Sequence, residues 1–173
     1  MQPQRSQGDP FAVIGEFPGA QRTWLWCNVM ITCWYGTPSA AAADRLAEWT
    51  EPILASLPPS AKISYVHLIT SKLKMPDAAT RSSLLASTQR YASRSGVSGV
   101  VVPGGGFWAS AIRSFVTGIA VLAPRELDLR IFGAIPELVP WFAGEHAKRT
   151  GVHIDGDELM RLLEEAAASC AAP

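Results

Sequence analysis

Three consecutive glycines form the most distinctive candidate binding motif of this chain. Gly104, Gly105 and Gly106 follow the β-branched segment 99–102 and precede a stretch with the apolar periodicity of a helix. Backbone N–H groups at such a junction can bind an anion, and Arg113 could add positive charge there. The turn completes neither the GxGxxG pattern nor the lysine–serine pair of a P-loop. Two interpretations stay open: a tight structural turn that lets the helix pack closely, or a loop that contacts a ligand.

Two histidines are candidates for proton transfer. His67 lies inside the apolar segment 63–69, which predicts a hydrogen-bonded core residue. A general base would need a nucleophile within reach, and the spacing of the sequence indicates none. His146 stands beside Glu145 and Lys148 in a helical pattern, which predicts a solvated helix face.

Neither the acidic residues nor the cysteines have the spacing of a metal site or a disulfide. Asp155 with Glu158 is typical of a helix capping box, and the segment is too short for a calcium-binding loop. Cys27 and Cys33 lie in one extended pattern, about 20 Å apart at strand rise, so they could not bridge each other. Cys170 lies near the C-terminus. We expect reduced thiols in a cytoplasmic protein, without metal or cofactor.

An aromatic stripe accompanies a long strand pattern over residues 22–35. Its odd positions are apolar candidates for the core, whereas its even positions include Trp24, Trp26, Met30 and Trp34. In a single strand these four side chains would share one face of the sheet. That face either packs against a layer of helices or is an interface for self-association or an apolar ligand.

The elements that must position these residues alternate between strand and helix patterns. The strands are predicted, besides the long one, over residues 11–17, 63–69, 97–102 and 127–132. Thr37 and Pro38 predict the start of the first helix, Asp77 the start of the second, and the last helix is expected over 155–168. The order β-β-α-β-α-β-α-β-α-α predicts an α/β fold with a mixed, mostly parallel sheet and an N-terminal antiparallel hairpin.

Size and composition favour a folded domain. The chain has 173 residues, 48% of them hydrophobic and 17% charged, which is not the composition of a disordered chain. We predict one domain over residues 11–168, a disordered tail over 1–10 and a C-terminal tail over 169–173. Formal net charge is zero and no basic block is interleaved with aromatics, so nucleic acid is not an expected partner. No segment predicts a secretory signal or an integral membrane span.

The last two strand–helix units resemble the SpoIIAA-like branch of the STAS superfamily. The resemblance rests on the segment 99–109, on 129–132, and on the pair Trp141-Phe142, and it extends over residues 24–144. It implies a STAS-like fold and a binding or regulatory module. Some members are anti-sigma-factor antagonists, switched by phosphorylation of a serine at the start of the helix after the strand that matches 63–69. Asp77 and its neighbours contain no serine there, and Ser71 lies earlier, so the switch is not carried over.

These observations predict a non-enzymatic, cytoplasmic interaction or regulatory module with an unknown protein partner. A homodimer formed through the aromatic stripe is a further hypothesis. The alternative is a domain that binds a small molecule, either a lipid or an anion, at the C-terminal edge of the parallel strands. The pocket would be rimmed by Thr70, Ser71, Lys72, Gly104, Gly105, Gly106 and Trp108, with Arg113 nearby. A third hypothesis is an enzyme at the same edge that uses Lys72, His67 or Arg113.

Overall fold

Strands and helices alternate after an N-terminal group of three strands. The computed structural model describes residues 11–70 and 73–171. Its strands are β1 (Ala12–Phe17), β2 (Gln21–Trp26), β3 (Val29–Trp34), β4 (Ile63–Ile69), β5 (Ser95–Val101) and β6 (Asp128–Phe132). Its helices are α1 (Ala40–Ser56), α2 (Ala78–Tyr91), α3 (Gly106–Leu122), α4 (Ile135–Thr150) and α5 (Gly156–Ala171), with one 3₁₀ turn at Ala92–Arg94. The α/β fold class is therefore confirmed. The predicted tail over 1–10 lies outside the described residues.

The six strands form one mixed sheet in the order β1-β2-β3-β4-β5-β6. The pairs β1–β2 and β2–β3 are antiparallel, and the pairs from β3 to β6 are parallel. Each crossover advances by one strand, and right-handed crossovers then place α1, α2 and α3 on the same face. The helices α4 and α5 cover the opposite face, where they pack against β3, β4 and β5. The sheet is thus enclosed between two helical layers.

The long strand predicted over 22–35 is wrong, because the chain reverses at Cys27 and Asn28. Cys27 adopts a left-handed φ of 51°, and Leu25 then pairs with Met30 across the hairpin. The Asn28 amide donates to the Lys62 carbonyl oxygen at 2.9 Å, which ties the turn to the segment before β4. The turn contains no glycine or proline, so the strand propensity on both sides concealed it.

The helices begin close to the capping residues that the sequence indicates, although the first helix begins later than predicted. Asp77 accepts a hydrogen bond from the Thr80 N–H at 2.8 Å, and Asp155 accepts one from the Glu158 N–H at 2.9 Å. The predicted helix start at Asp77 and the predicted cap at Asp155 are therefore confirmed. The first helix is capped by Ser39 and not by Thr37. The helix α5 continues to Ala171, three residues beyond the predicted end at 168.

The prediction of a solvated His146 is wrong. This side chain is fully buried under α4, and its Nδ1 lies 2.8 Å from the Ser64 hydroxyl oxygen. The same hydroxyl oxygen accepts a hydrogen bond from the Val97 N–H at 3.1 Å, so the histidine joins α4 to β4 and β5. The flanking Glu145 and Lys148 pair with each other on the exposed side, which explains the misleading local pattern.

Candidate functional site

An apolar cavity of about 100 Å³ lies between the parallel strands and the helices α2 and α3. Its walls come from β3 to β6, from both helices and from the segments that follow β3 and β4. The lining side chains are Trp34, Pro38, His67, Ile69, Leu73, Pro76, Leu84, Thr88, Val100, Ile112, Phe115, Val116, Ile119 and Leu129. Nearly all of them are hydrocarbon, so the cavity favours an apolar occupant.

The sequence of α2 explains why space remains there. This helix is rich in alanine, serine and threonine, and Thr80 is its only buried residue. Small and polar side chains cannot fill the volume above β4 and β5 as the apolar face of α3 does. Leu84 reaches the cavity from α2, but its neighbours Ser82 and Ser83 are exposed or half-exposed. The helical layer is therefore underpacked where α2 crosses the sheet.

His67 is the polar residue at the sheet side of this cavity. It shares a face of β4 with Ile69, and its Nδ1 accepts a long hydrogen bond of 3.4 Å from the Trp34 indole N–H. Burial lowers the pKa of His67 to about 4, because the helical layer removes the water that would solvate an imidazolium. The ring is therefore neutral at pH 7. Since Nδ1 is the acceptor, the proton is on Nε2.

The hydrogen-bonding capacity of the cavity is nearly all supplied by that histidine. The Thr88 hydroxyl donates to the Leu84 carbonyl oxygen at 2.8 Å, so its proton is already used within α2. No hydrogen bond from residues 11–70 or 73–171 reaches the Nε2 of His67. The cavity thus offers one N–H donor in apolar surroundings, an arrangement suited to an uncharged acceptor such as a carbonyl oxygen.

A surface groove of about 340 Å³ lies on the outer side of α2 and α3. It shares Phe115 and Ile119 with the cavity, so these two side chains form the partition between the interior and the surface. The Arg81 guanidinium lies over the Phe115 ring, 5.5 Å from its centroid.

The glycine turn and its predicted neighbours come together at the start of α3. Gly104 and Gly106 have φ values of 77° and 83°, which explains the choice of glycine at both positions. Arg113 donates from Nη2 to the carbonyl oxygens of Val102 and Gly104, at 2.8 and 2.9 Å. The arginine therefore braces the turn through hydrogen bonds to its backbone. These contacts favour the structural interpretation of the turn.

The other predicted rim residues have separate surroundings. The Trp108 indole N–H donates to the Leu73 carbonyl oxygen at 2.9 Å, which fixes α3 to the segment after β4. The Thr70 N–H donates to the Trp34 carbonyl oxygen at 3.0 Å and continues the parallel ladder. Ser71 and Lys72 lie outside the described residues.

The aromatic stripe does not form one face. Across the hairpin Trp26 pairs with Val29, so even-numbered residues of β2 share a face with odd-numbered residues of β3. Trp24 and Trp26 therefore pack beneath α4 and α5, whereas Met30 and Trp34 lie on the face covered by α1, α2 and α3. All four are buried in this chain. The prediction of a shared aromatic face is therefore wrong, and only Trp34 borders the candidate site.

The sequence predicts His67 as a core residue but does not predict the cavity around it. Other lining residues, such as Leu84, Phe115 and Val116, do not indicate a site by themselves, because apolar residues at helical spacing normally indicate core packing. One signal was present: a histidine in an apolar strand, opposite a helix whose apolar stripe is weak.

Comparisons with family models and with curated proteins find no match to this chain. Across residues 11–70 and 73–171, no helix combines the length and apolarity that a membrane crossing requires. Within the same residues, no three histidine, cysteine, aspartate or glutamate side chains come together as metal ligands. The fold and the cavity define the class of protein, an α/β domain with an apolar cavity beneath one helical layer.

Proposed function

We propose that this domain binds a small, uncharged, mainly apolar molecule that carries one hydrogen-bond acceptor. The observation that carries the proposal is the Nε2–H donor of neutral His67 at the wall of an apolar cavity. A charged ligand would lose its hydration without a counter-ion, since neither Thr88 nor His67 carries charge at pH 7. The acceptor is therefore a ketone, aldehyde, ester or ether oxygen.

The volume of the cavity limits the size of the buried group. A cavity of roughly 150 Å³ with apolar walls accepts benzene. The volume of about 100 Å³ here suits a five-membered ring or a short branched chain. A longer molecule would extend past Phe115 and Ile119 into the outer groove.

The residues of the site favour ligand binding over catalysis. Among the described cavity residues there is no serine, cysteine, aspartate or glutamate, and Thr88 gives its proton to a backbone carbonyl. A base with a pKa near 4 also has little power to remove a proton from a substrate at neutral pH. Enzymatic use of His67 therefore ranks below ligand binding.

The test compares two probes of the same shape. Cyclopentanone and methylenecyclopentane differ in the replacement of an oxygen by a CH₂ group, and amide and indole NMR shifts report their binding. We expect the ketone to bind in about the millimolar range and to shift the Trp34 indole signal. His67→Phe should weaken ketone binding by about 3- to 10-fold and leave the hydrocarbon unaffected.

Two control variants complete this experiment. Val116→Phe fills the cavity and should abolish binding of both probes, whereas Phe107→Ala, remote from the lining residues, should change neither. Equal affinity of both probes for the wild-type protein would show that His67 makes no hydrogen bond to the ligand. Binding of neither probe would refute the site.

A second candidate function is self-association through the outer face of α3. Its exposed side chains include Phe107, Val121 and Leu122, and its one charged residue, Arg113, is turned toward the glycine turn. An uncharged helix face of this kind is typical of a protein–protein contact. Light scattering on Leu122→Glu tests it: a dimer that this substitution dissociates supports the contact, and a wild-type monomer at high concentration excludes it.

A further inference from the structure

Two cysteines that are far apart in the chain meet on the side of the sheet opposite the cavity. Cys33 lies on the central strand β3, and Cys170 lies in the last turn of α5. Both side chains belong to the same buried cluster, where α5 packs against β3, and each thiol is the main influence on the pKa of the other. The sequence predicted isolated thiols, because the pairing depends on the return of α5 across the sheet.

The two thiols have different surroundings. Cys33 is completely buried, whereas 7% of the Cys170 surface is exposed at the end of the helix. The Ser169 hydroxyl lies 3.9 Å from the Cys170 sulfur, and Arg22 stands opposite Cys33 in the β2–β3 ladder. The neighbouring Cys33 thiol, then the Ser169 hydroxyl and the positive charge of Arg22, hold the pKa of Cys170 below its usual range. Cys170 is therefore the thiol that ionises first, and it is the less buried of the two.

We propose that Cys33 and Cys170 are a reversible disulfide pair that forms when a peroxide oxidises Cys170. In the first step the Cys170 thiolate attacks one peroxide oxygen, the O–O bond breaks, and the leaving oxygen takes up a proton as an alcohol or water. Cys170 is then a sulfenic acid. In the second step the sulfur of Cys33 attacks that of Cys170, the S–O bond breaks, and water leaves with the proton of Cys33. Two thiols lose two electrons in total, and one peroxide gains them.

The bond would join the first half of the sheet to the last helix. It would enclose β4, β5, β6 and the helices α1 to α4 in one covalent loop. A long loop restricts the unfolded chain, so the oxidised protein should be harder to unfold than the reduced one. The cavity lies on the other face of the sheet, so this inference is independent of the proposed ligand.

The experiment oxidises the folded protein with hydrogen peroxide, alkylates the remaining thiols and maps the peptides by mass spectrometry. We expect a cross-linked peptide pair that contains Cys33 and Cys170, lighter by about 2 Da than the two reduced peptides, and its loss on treatment with dithiothreitol. The Tm of the oxidised protein should rise by about 5–10 °C. The matched variant Cys27→Ser should give the same cross-link.

Trapping the intermediate separates the roles of the two cysteines. In Cys33→Ser, a sulfenic acid probe such as dimedone should label Cys170, whereas in Cys170→Ser it should not label Cys33. A cross-link to Cys27, a disulfide between two chains, or irreversible oxidation of Cys170 without a cross-link would each overturn the proposal. The wild-type peptide map decides the question even if a variant fails to fold.

Discussion

Two neutral histidines stand on opposite faces of the same strand pair. His67 borders the cavity beneath α2 and α3, and His146 reaches the sheet from α4 through the Ser64 hydroxyl. Burial lowers the pKa of each to about 4, with a smaller contribution at His146 from His153. In the unfolded chain both would titrate near 6.5, so the native state excludes two protons that the unfolded state accepts in mildly acidic solution.

Stability should therefore fall as the pH is lowered from 6.5 to 5. Over this interval the unfolded chain gains protons while native His67 and His146 stay neutral, which costs about 1.5–2 kcal/mol of unfolding free energy for each histidine. Urea denaturation at several pH values measures the slope. His67→Phe should remove about half of the loss, whereas Thr88→Val, which changes the same cavity without a titratable group, should keep it. If the unfolding free energy of the wild-type protein does not change over this pH interval, His67 and His146 are not neutral in the native state.

At the scale of the elements, Gly99 of β5 allows the close approach of α4 to the sheet. A Cβ atom on Gly99 would lie 2.5 Å from the Leu138 Cδ1 atom, and both groups are enclosed in the core. Gly118, in contrast, lies on the outer face of α3, where a Cβ atom would meet nothing within 4 Å. The two glycines therefore have opposite structural roles.

Substitution by alanine should have opposite effects at these two positions. Gly99→Ala should lower the unfolding free energy by about 1–3 kcal/mol, because α4 must move away from the sheet. Gly118→Ala should raise it by about 0.5–1 kcal/mol, because alanine is the better helix former. Chemical denaturation of both variants checks this, and equal effects would show that α4 is not in close contact with β5.

At the scale of the whole molecule, the tryptophans of β2 hold the second helical layer in place. Trp26 is buried beneath α4 and α5, so Trp26→Ala should cost about 3–5 kcal/mol of stability without any change in oligomeric state. Light scattering and urea denaturation on the same preparation separate the two effects. If the variant keeps its stability but forms smaller species than the wild-type protein, Trp26 is an interface residue.

The sequence predicted the alternating part of the fold well and the N-terminal part only in outline. The strand over 63–69 and the helix that follows the three glycines are confirmed, because periodicity and flanking turns mark them clearly. The turn at Cys27 and Asn28 contains no glycine or proline, so the sequence predicted neither the strand register nor which side chains share a face there. The cavity and the Cys33–Cys170 contact depend on which helices share a face, and local patterns do not contain that information.

The sequential strand order has a consequence for folding during synthesis on the ribosome. Every strand pairs with the one made just before it, so the sheet and its first helical layer can assemble in the order of synthesis. The apolar face with Ile31 and Val66 has no cover until α4 and α5, which follow β6 along the chain, have been made. A nascent chain that stops after β6 would expose this face and aggregate readily. Synthesis of α4 and α5 is therefore also the step that protects this face of the sheet from contact with other chains.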